Sequence, residues 1–321
     1  MRIQPKRWVR PLCAVALGAA AGCLLALLPM LRAASSAPVI AFIPRTSGTN
    51  FTEDMHRGAE AAAEQAGYRI YWNAPTREDD VDRQIRIAEN AVGRGARALI
   101  LGPTNIWGVT TMVNDLTARH VPVVFVQTIP AEPAGPYLTS ITPDQAKCGT
   151  LAAARAAVVT GGSGQVAIVG IDRGTPETLS RADSFIRAIA AYPGIEVVAE
   201  SPGAVQTMEA EQSTRELVSA YPGLKAIFSV SADATQGAML ALQDLDRSHA
   251  ISLIGSDRDL FLVASLHDGM LDSLVASDGY RIGYLAVQTA LVGVRGRPLP
   301  PPLRVGVELL TRENLVFNGN H

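Results

Sequence analysis

A glycine-rich loop, five histidines and a few acids and thiols are the side chains in this sequence whose types could support covalent, metal or phosphate chemistry. Gly161-Gly162-Ser163-Gly164 has the composition of a phosphate cradle. It stands between a helical and a strand-like segment, whereas a cradle needs a strand before it and a helix after it, so that the helix N-terminus faces the anion. It therefore reads as a turn. His56, His120, His249, His267 and His321 are scattered without metal-ligand spacing and read as surface or cap residues. The pair Asp79-Asp80 lies at a helix start, where carboxylates complement the helix dipole. Cys13 and Cys23 fall in an N-terminal apolar segment, which leaves Cys148 alone in the rest of the chain. One thiol makes neither an internal disulfide nor a cysteine-based zinc site, and Cys148 reads as a small apolar helix residue. No G-x-S-x-G, Walker loop or H-E-x-x-H occurs, and no G-x-G-x-x-G follows the first strand. The expectation is a chain with no catalytic residues, no metal and no cofactor.

The N-terminus has a different character from the rest. Arg2, Lys6, Arg7 and Arg10 precede an almost uninterrupted apolar run from Leu12 to Leu31, the pattern of an export signal. Small residues from Ala33 to Ala37 offer a cleavage site. The run also approaches the ~20 residues that span a bilayer, so an uncleaved anchor is an alternative. A third reading is a lipid anchor on Cys23, because Ala20-Ala21-Gly22-Cys23 resembles a lipoprotein box, although apolar residues follow it where a polar tether is usual. Loss of this segment removes five basic residues (Arg2, Lys6, Arg7, Arg10, Arg32) and no acid, which moves the formal charge from −2 to −7. An acidic mature chain is a poor general partner for nucleic acid.

At 321 residues, 48% of them hydrophobic, the chain can form two α/β lobes of ordinary size. From Ala37 onward, short apolar runs alternate with amphipathic segments, the pattern of parallel sheets covered by helices on both faces. The expected strands are Val39 to Pro44, Arg69 to Asn73, Ala98 to Leu101 and Val121 to Gln127. After a Pro-rich break from Pro130 to Pro136 come Gln165 to Ile171, Glu196 to Ser201, Ala226 to Ser231, Ser252 to Ser256 and Ser273 to Ala276. Between them, Met55, Ala59, Ala62 and Ala66 share one helix face, as do Ile106, Val109, Val113 and Leu116. Each half has the makings of a doubly wound lobe with its crevice at the carboxyl ends of the strands, and two such crevices face to face make a cleft.

A series of short motifs then carries a resemblance. They are Asn50-Phe51 after the first strand with Gly58 beyond it, Gly102-Pro103-Thr104 after the third strand, and Val121-Pro122-Val123-Val124 in the fourth. Farther on come Ile254-Gly255-Ser256-Asp257, Asp268-Gly269-Met270-Leu271 and the tail Leu310-Thr311-Arg312-Glu313-Asn314-Leu315. In this order and spacing the chain, from Val39 to its C-terminus, resembles the ribose- and galactose-type periplasmic binding proteins, relatives of the ligand lobes of LacI-type repressors. With an export signal and no helix-turn-helix ahead of the lobes, the repressor branch is not expected. The resemblance implies an α/β protein of two doubly wound parallel-sheet lobes joined by a three-stranded hinge, the type I periplasmic binding protein fold. Residues 37–143 plus 278–306 would form the first lobe and 144–277 plus 307–321 the second, behind an export signal or anchor at 1–36. It further implies a periplasmic or envelope-located monomer that closes on a small polar ligand, a carbohydrate in the main reading, and delivers it to an ABC importer. A sensor presenting its closed form to a membrane receptor or kinase is the alternative.

The resemblance also nominates ligand-binding residues. Family members stack an aromatic ring on the apolar face of a sugar while carboxylates and amides satisfy its hydroxyls. Phe51 stands at the aromatic position, flanked by Thr49 and Asn50, which are equally suited to cap a helix. The family's Asp-Arg pair after the fourth strand falls on Gln127 and Thr128, so a charged clamp is lost there. Asp257 matches the family's acidic strand-end residue, or caps the helix after it. Ser231 stands where the family has Asn and Ser277 where it often has Gln, and Asp233 is a further candidate. The family's arginine falls on Leu179, leaving Arg181 as a structural residue. Trp72 and Trp107 read as packing residues rather than ligand contacts.

Overall fold

The computed structural model describes residues 37–77, 80–173, 175–204 and 206–315. The expected signal or anchor, its lipid box, Asp79 and His321 lie outside these residues. In chain order the elements are β1 (Val39–Ile43), α1 (Asn50–Gln65), β2 (Arg69–Trp72), α2 (Val81–Gly93), β3 (Leu99–Leu101), α3 (Thr110–Ala118), β4 (Val123–Val126) and β5 (Leu138–Pro143). There follow α4 (Gln145–Val159), β6 (Ser163–Ile171), α5 (Pro176–Ile189), β7 (Gly194–Pro202), α6 (Thr207–Ala220), β8 (Leu224–Ser229) and α7 (Ala232–Asp244). The chain continues through β9 (Ser252–Ser256), α8 (Leu260–His267), β10 (Ser273–Ser277), α9 (Gly279–Val294), β11 (Leu303–Val305) and β12 (Val307–Thr311).

Strands apolar at every position form because both faces of each sheet are covered. In β1, Ile40 and Phe42 enter one core with α1 and α9, while Ala41 and Ile43 enter the other with α2 and α3. In β8, Ala226 and Phe228 pack under α4 and α5, and Ile227 packs on the opposite face with α6 and α7. The two sheets have six strands each, in the orders β2-β1-β3-β4-β5-β11 and β7-β6-β8-β9-β10-β12. All neighbours are parallel except β12, which runs antiparallel to β10. The first five strands of each sheet follow the same doubly wound order, so the second half repeats the first.

Three strands stand where none was expected. β5 follows the Pro-rich break and lies inside the first sheet between β4 and β11, fully buried despite Thr139, Ser140 and Thr142. β11 and β12 are short edge strands. Helix α3 also begins later than its apolar stripe suggests, with Ile106 and Val109 preceding it.

The chain passes from the first sheet to the second between β5 and α4, returns between β10 and α9, and passes again between β11 and β12 at Gly306. At the first two passages an aspartate caps the helix that begins there: Lys147 N donates to Asp144 at 3.1 Å and Arg281 N to Asp278 at 2.9 Å. Each cap satisfies an otherwise orphan helix N–H and anchors the helix start beside the crossing. Among the described residues no helix is long and apolar enough to cross a membrane.

Helices α1 and α9 cross at glycines. A Cβ on Gly58 would come within 2.0 Å of the Tyr280 carbonyl oxygen, and one on Gly283 within 2.0 Å of the Met55 carbonyl oxygen. Backbone leaves no room to relax, so Gly283→Val must push the helices apart. The expected cost is about 1–3 kcal/mol, read as a lowered urea midpoint. Gly93→Ala, whose Cβ would meet nothing within 4 Å, is the control and should leave stability unchanged or slightly raised. Equal effects of the two substitutions would refute the close-crossing explanation.

Candidate functional site

Parallel strands deliver their loops to one edge of the sheet, and here the carboxyl-terminal edges of the two sheets line a common cavity of about 400 Å³. In the first lobe, Thr49 caps α1: its hydroxyl accepts from Thr52 N while the Thr52 hydroxyl accepts from Thr49 N, both at 3.2 Å. This reciprocal box fixes the start of the helix and brings Asn50 and Phe51 to the rim of the cavity. Phe51 is half-buried, its carbonyl oxygen and ring Cδ2 against Gly279 at the start of α9. Behind the rim lies Gln84, fully buried in α2. Its amide donates to Pro44 O at 3.2 Å and Gly102 O at 2.9 Å, and its carbonyl accepts from Thr104 N at 2.9 Å. One side chain thus ties together the loops that follow β1 and β3.

The second lobe is organised around Arg181, a buried residue of α5. Its guanidinium donates to both Asp257 oxygens at 2.8 and 3.1 Å, to Val230 O at 2.9 Å and to Gln145 Oε1 at 2.7 Å. Burial alone would lower its pKa, but the Asp257 carboxylate more than offsets this and holds Arg181 above its ordinary value. The nearby Cys148 thiol is pushed up to about 11 by burial. Ser231 caps α7, accepting from Ala234 N at 3.2 Å. Asp233, in the first turn of that helix, is raised above the usual carboxylate range by burial and then by the charges of Asp257 and Asp259. Glu177 projects from the first turn of α5, with both carboxylate oxygens buried and without a hydrogen-bond donor.

Of the residues nominated from the sequence, Thr49, Asn50, Phe51, Gln127, Ser231, Asp233, Asp257 and Ser277 line this cavity. Thr128 does not. It is buried and faces a smaller cavity of about 160 Å³ with Ser180 and Arg304, which meets the main one at Gln127 and Glu177. Gln127 has φ +70, and this left-handed turn of the backbone sends the next residue away from the cleft. The cap of α8 is Asp259 rather than Asp257: Asp259 accepts from Phe261 N at 2.8 Å. Trp72 packs on Phe42 and His56, and Trp107 is exposed outside the cavity.

Arg45, Gln145, Glu177, Arg181 and Asp259 also line the cavity, and sequence reasoning gave none of them a ligand role. Two of these cross it. Asp259 accepts from Asn50 Nδ2 at 3.1 Å, and Arg45 Nη2 stands 3.8 Å from Glu177 Oε1. Among the described residues, no group of three histidines, cysteines or acids is placed to hold a metal.

The pairing of Arg181 with Asp257 makes an asymmetric prediction. Asp257→Ala leaves a buried guanidinium without its counter-charge and is expected to cost about 3 kcal/mol, the low end for a broken buried pair, because water reaches part of Asp257. Arg181→Met should cost less, since the freed carboxylate can hydrate. Urea denaturation measures both, and the reverse order would contradict this account. Cys148 gives a second test: with its thiol near 11, native protein at pH 8 should alkylate there far more slowly than protein in urea, as read by peptide mass spectrometry. Equal rates would show that the thiol is not shielded by the fold.

Comparison with known proteins agrees with this geometry. The family described as a periplasmic binding protein domain matches residues 40–298. The chain is 23% identical to the ribose import binding protein of Haemophilus influenzae over 278 residues, covering 87% of this chain and 93% of that protein. Among solved structures, an arabinose binding protein from Geobacillus stearothermophilus superposes with a TM-score of 0.79 at 20% identity, covering 87% of this chain and 98% of that one. A carbohydrate transporter solute binding protein from Agrobacterium radiobacter, in complex with D-arabinose, superposes with a TM-score of 0.74 at 25% identity, covering 87% and 96%. The two repeated α/β lobes accord with that match, which spans most of the chain, and the chain belongs to the periplasmic binding protein family.

Proposed function

We propose that the protein is exported, captures a carbohydrate between its two lobes as a monomer, and hands it to an ABC importer. The observation that carries this reading is the set of unpartnered polar atoms on residues that line a cavity built by both lobes. Gln127 Oε1 from the first lobe, and both Glu177 oxygens and Ser277 Oγ from the second, are buried without hydrogen bonds. Leaving such groups unsatisfied costs free energy that a hydroxyl-rich ligand would recover. Phe51, flanked by Thr49 and Asn50, lines the cavity from the first lobe, and an aromatic ring suits the apolar face of a sugar. The ribose import binding protein and the D-arabinose complex among the relatives support the same ligand class.

Capture follows from contacts that only the closed form makes. A ligand touching Gln127 and Ser277 at once binds that form more tightly than an open one and shifts the population toward it. The contacts between the lobes, the Asn50–Asp259 hydrogen bond and the Arg45–Glu177 ion pair, add to closure without a ligand. An importer would then read the closed shape. The three crossings near Asp144, Asp278 and Gly306 would act as the hinge.

A thermal-shift and calorimetric screen of pentoses, hexoses and polyols tests this. A true ligand at a hundred times its Kd should stabilise the protein by about 2.7 kcal/mol and be recovered unchanged. Phe51→Ala and Gln127→Ala should each weaken it about tenfold or more, equivalent to about 1.4 kcal/mol. Failure of every carbohydrate to bind, or conversion of one to a product, would overturn the reading.

A further inference from the structure

The cavity is not evenly supplied with hydrogen-bonding groups, and the imbalance bears on which carbohydrate it takes. Each of its three guanidiniums already stands against an acid of the protein. Arg181 spends its hydrogen bonds on Asp257, Val230 and Gln145. Arg45 Nε donates to Pro103 O at 3.1 Å, with its Nη2 turned toward Glu177, and Arg258 stands 3.6 Å from Glu308, outside the cavity. Against these three cations stand four carboxylates in the wall, Glu177, Asp233, Asp257 and Asp259. Asp257 is matched by Arg181 and Asp259 by the neutral Asn50 amide. Glu177 has no hydrogen-bond donor on either oxygen, although it pairs with Arg45 at 3.8 Å and feels the charge of Arg181, and Asp233 is an exposed carboxylate of the same wall.

A second observation, independent of the acids, marks the same wall. Ser277 is 7% exposed and lines the cavity, with its hydroxyl unpartnered. On the facing wall Gln127 Oε1 is another acceptor without a donor. The wall thus carries buried acceptors without donors at Glu177 and Gln127, and a surplus of negative charge. An anionic sugar would meet four carboxylates, and each of the three guanidiniums already faces an acid. A neutral sugar would satisfy the acceptors but leave the charge. A protonated amine supplies three donors and a positive charge from one atom.

We propose that the cleft selects an amine-bearing carbohydrate, an amino sugar or aminated polyol, over its neutral counterpart, with Glu177 as the residue that reads the ammonium group. This deepens the carbohydrate-binding reading and rests on it. Asp233 adds to the local negative potential, and its upward shift from burial and from Asp257 and Asp259 reflects the same surplus.

Isothermal titration of the full-length protein with D-glucosamine, D-galactosamine and D-mannosamine, each beside its neutral hexose and N-acetyl form, tests the proposal. At least one amine should bind about tenfold or more tightly than both of its partners. Glu177→Gln should weaken the amine at least about tenfold more than the neutral hexose, so that the preference disappears. Asp233→Asn, expected to reduce the preference in part, is the second variant should the first not fold. If neutral or N-acetyl sugars bind as tightly as the amines, or if the substitutions weaken all forms alike, the amine proposal falls and the carbohydrate reading stands. If no sugar of any kind binds, both fall.

Discussion

Parallel strands all end at the same edge of their sheet, and each must give its chain to a loop there before a helix carries it back. Every property of the cleft follows from this constraint. Because the first five strands of both sheets share one doubly wound order, the loops after β1, β4, β6, β8 and β9 meet across one gap. The loops alone would be soft. In the first lobe Gln84 bonds the loops after β1 and β3 to one another, and in the second Arg181 joins α5 to the ends of β8 and β9. Each lobe therefore presents a braced half-site.

The repeat extends to backbone detail. Gln127 follows β4 and Asp257 follows β9, the fourth strands of their sheets, and both are left-handed, with φ of +70 and +74. Residues other than glycine enter this region at a cost, and here they do so at corresponding places facing the ligand cavity. The turn reverses the side chain from the sheet interior toward the cleft. Gln127 needs further space, since its Oε1 stands 2.6 Å from where a Cβ on Gly102 would lie. Gly102, in the motif Gly102-Pro103-Thr104, keeps that space open.

The sequence revealed the repeated α/β rhythm because buried strands are short and apolar, and Ile40 to Ile43 or Val166 to Val169 leave little alternative. It hid β5, where Thr139, Ser140 and Thr142 break the apolar run directly after a Pro-rich stretch. Burial there is set by neighbouring β4 and β11, which no local pattern records. Among the cleft residues, those in the turn after β1 could be found from the family pattern. Glu177 could not, because an acid beside Pro176 in the first turn of a helix looks like ordinary support of the helix dipole. Arg181 likewise gained its partners only through tertiary packing, with Asp257 lying 76 residues away. Thr128 shows the converse: beside a cleft residue in sequence, it lines the adjoining smaller cavity, after a left-handed turn at Gln127.

The alternating passage of the chain between lobes also sets an order of assembly. Residues from α4 through β10 are continuous in sequence and hold the five parallel strands of the second sheet, so that lobe can gather from nearby segments. The first lobe cannot. Its core around β1 and α1 is completed by Ile282, Ala286, Val287, Ala290 and Leu291 of α9, which come more than 200 residues after α1 in the chain. Joining such distant segments slows folding more than it weakens the final structure, since each doubling of loop length costs only about 0.6 kcal/mol. The second lobe can therefore be complete while the first still waits for α9.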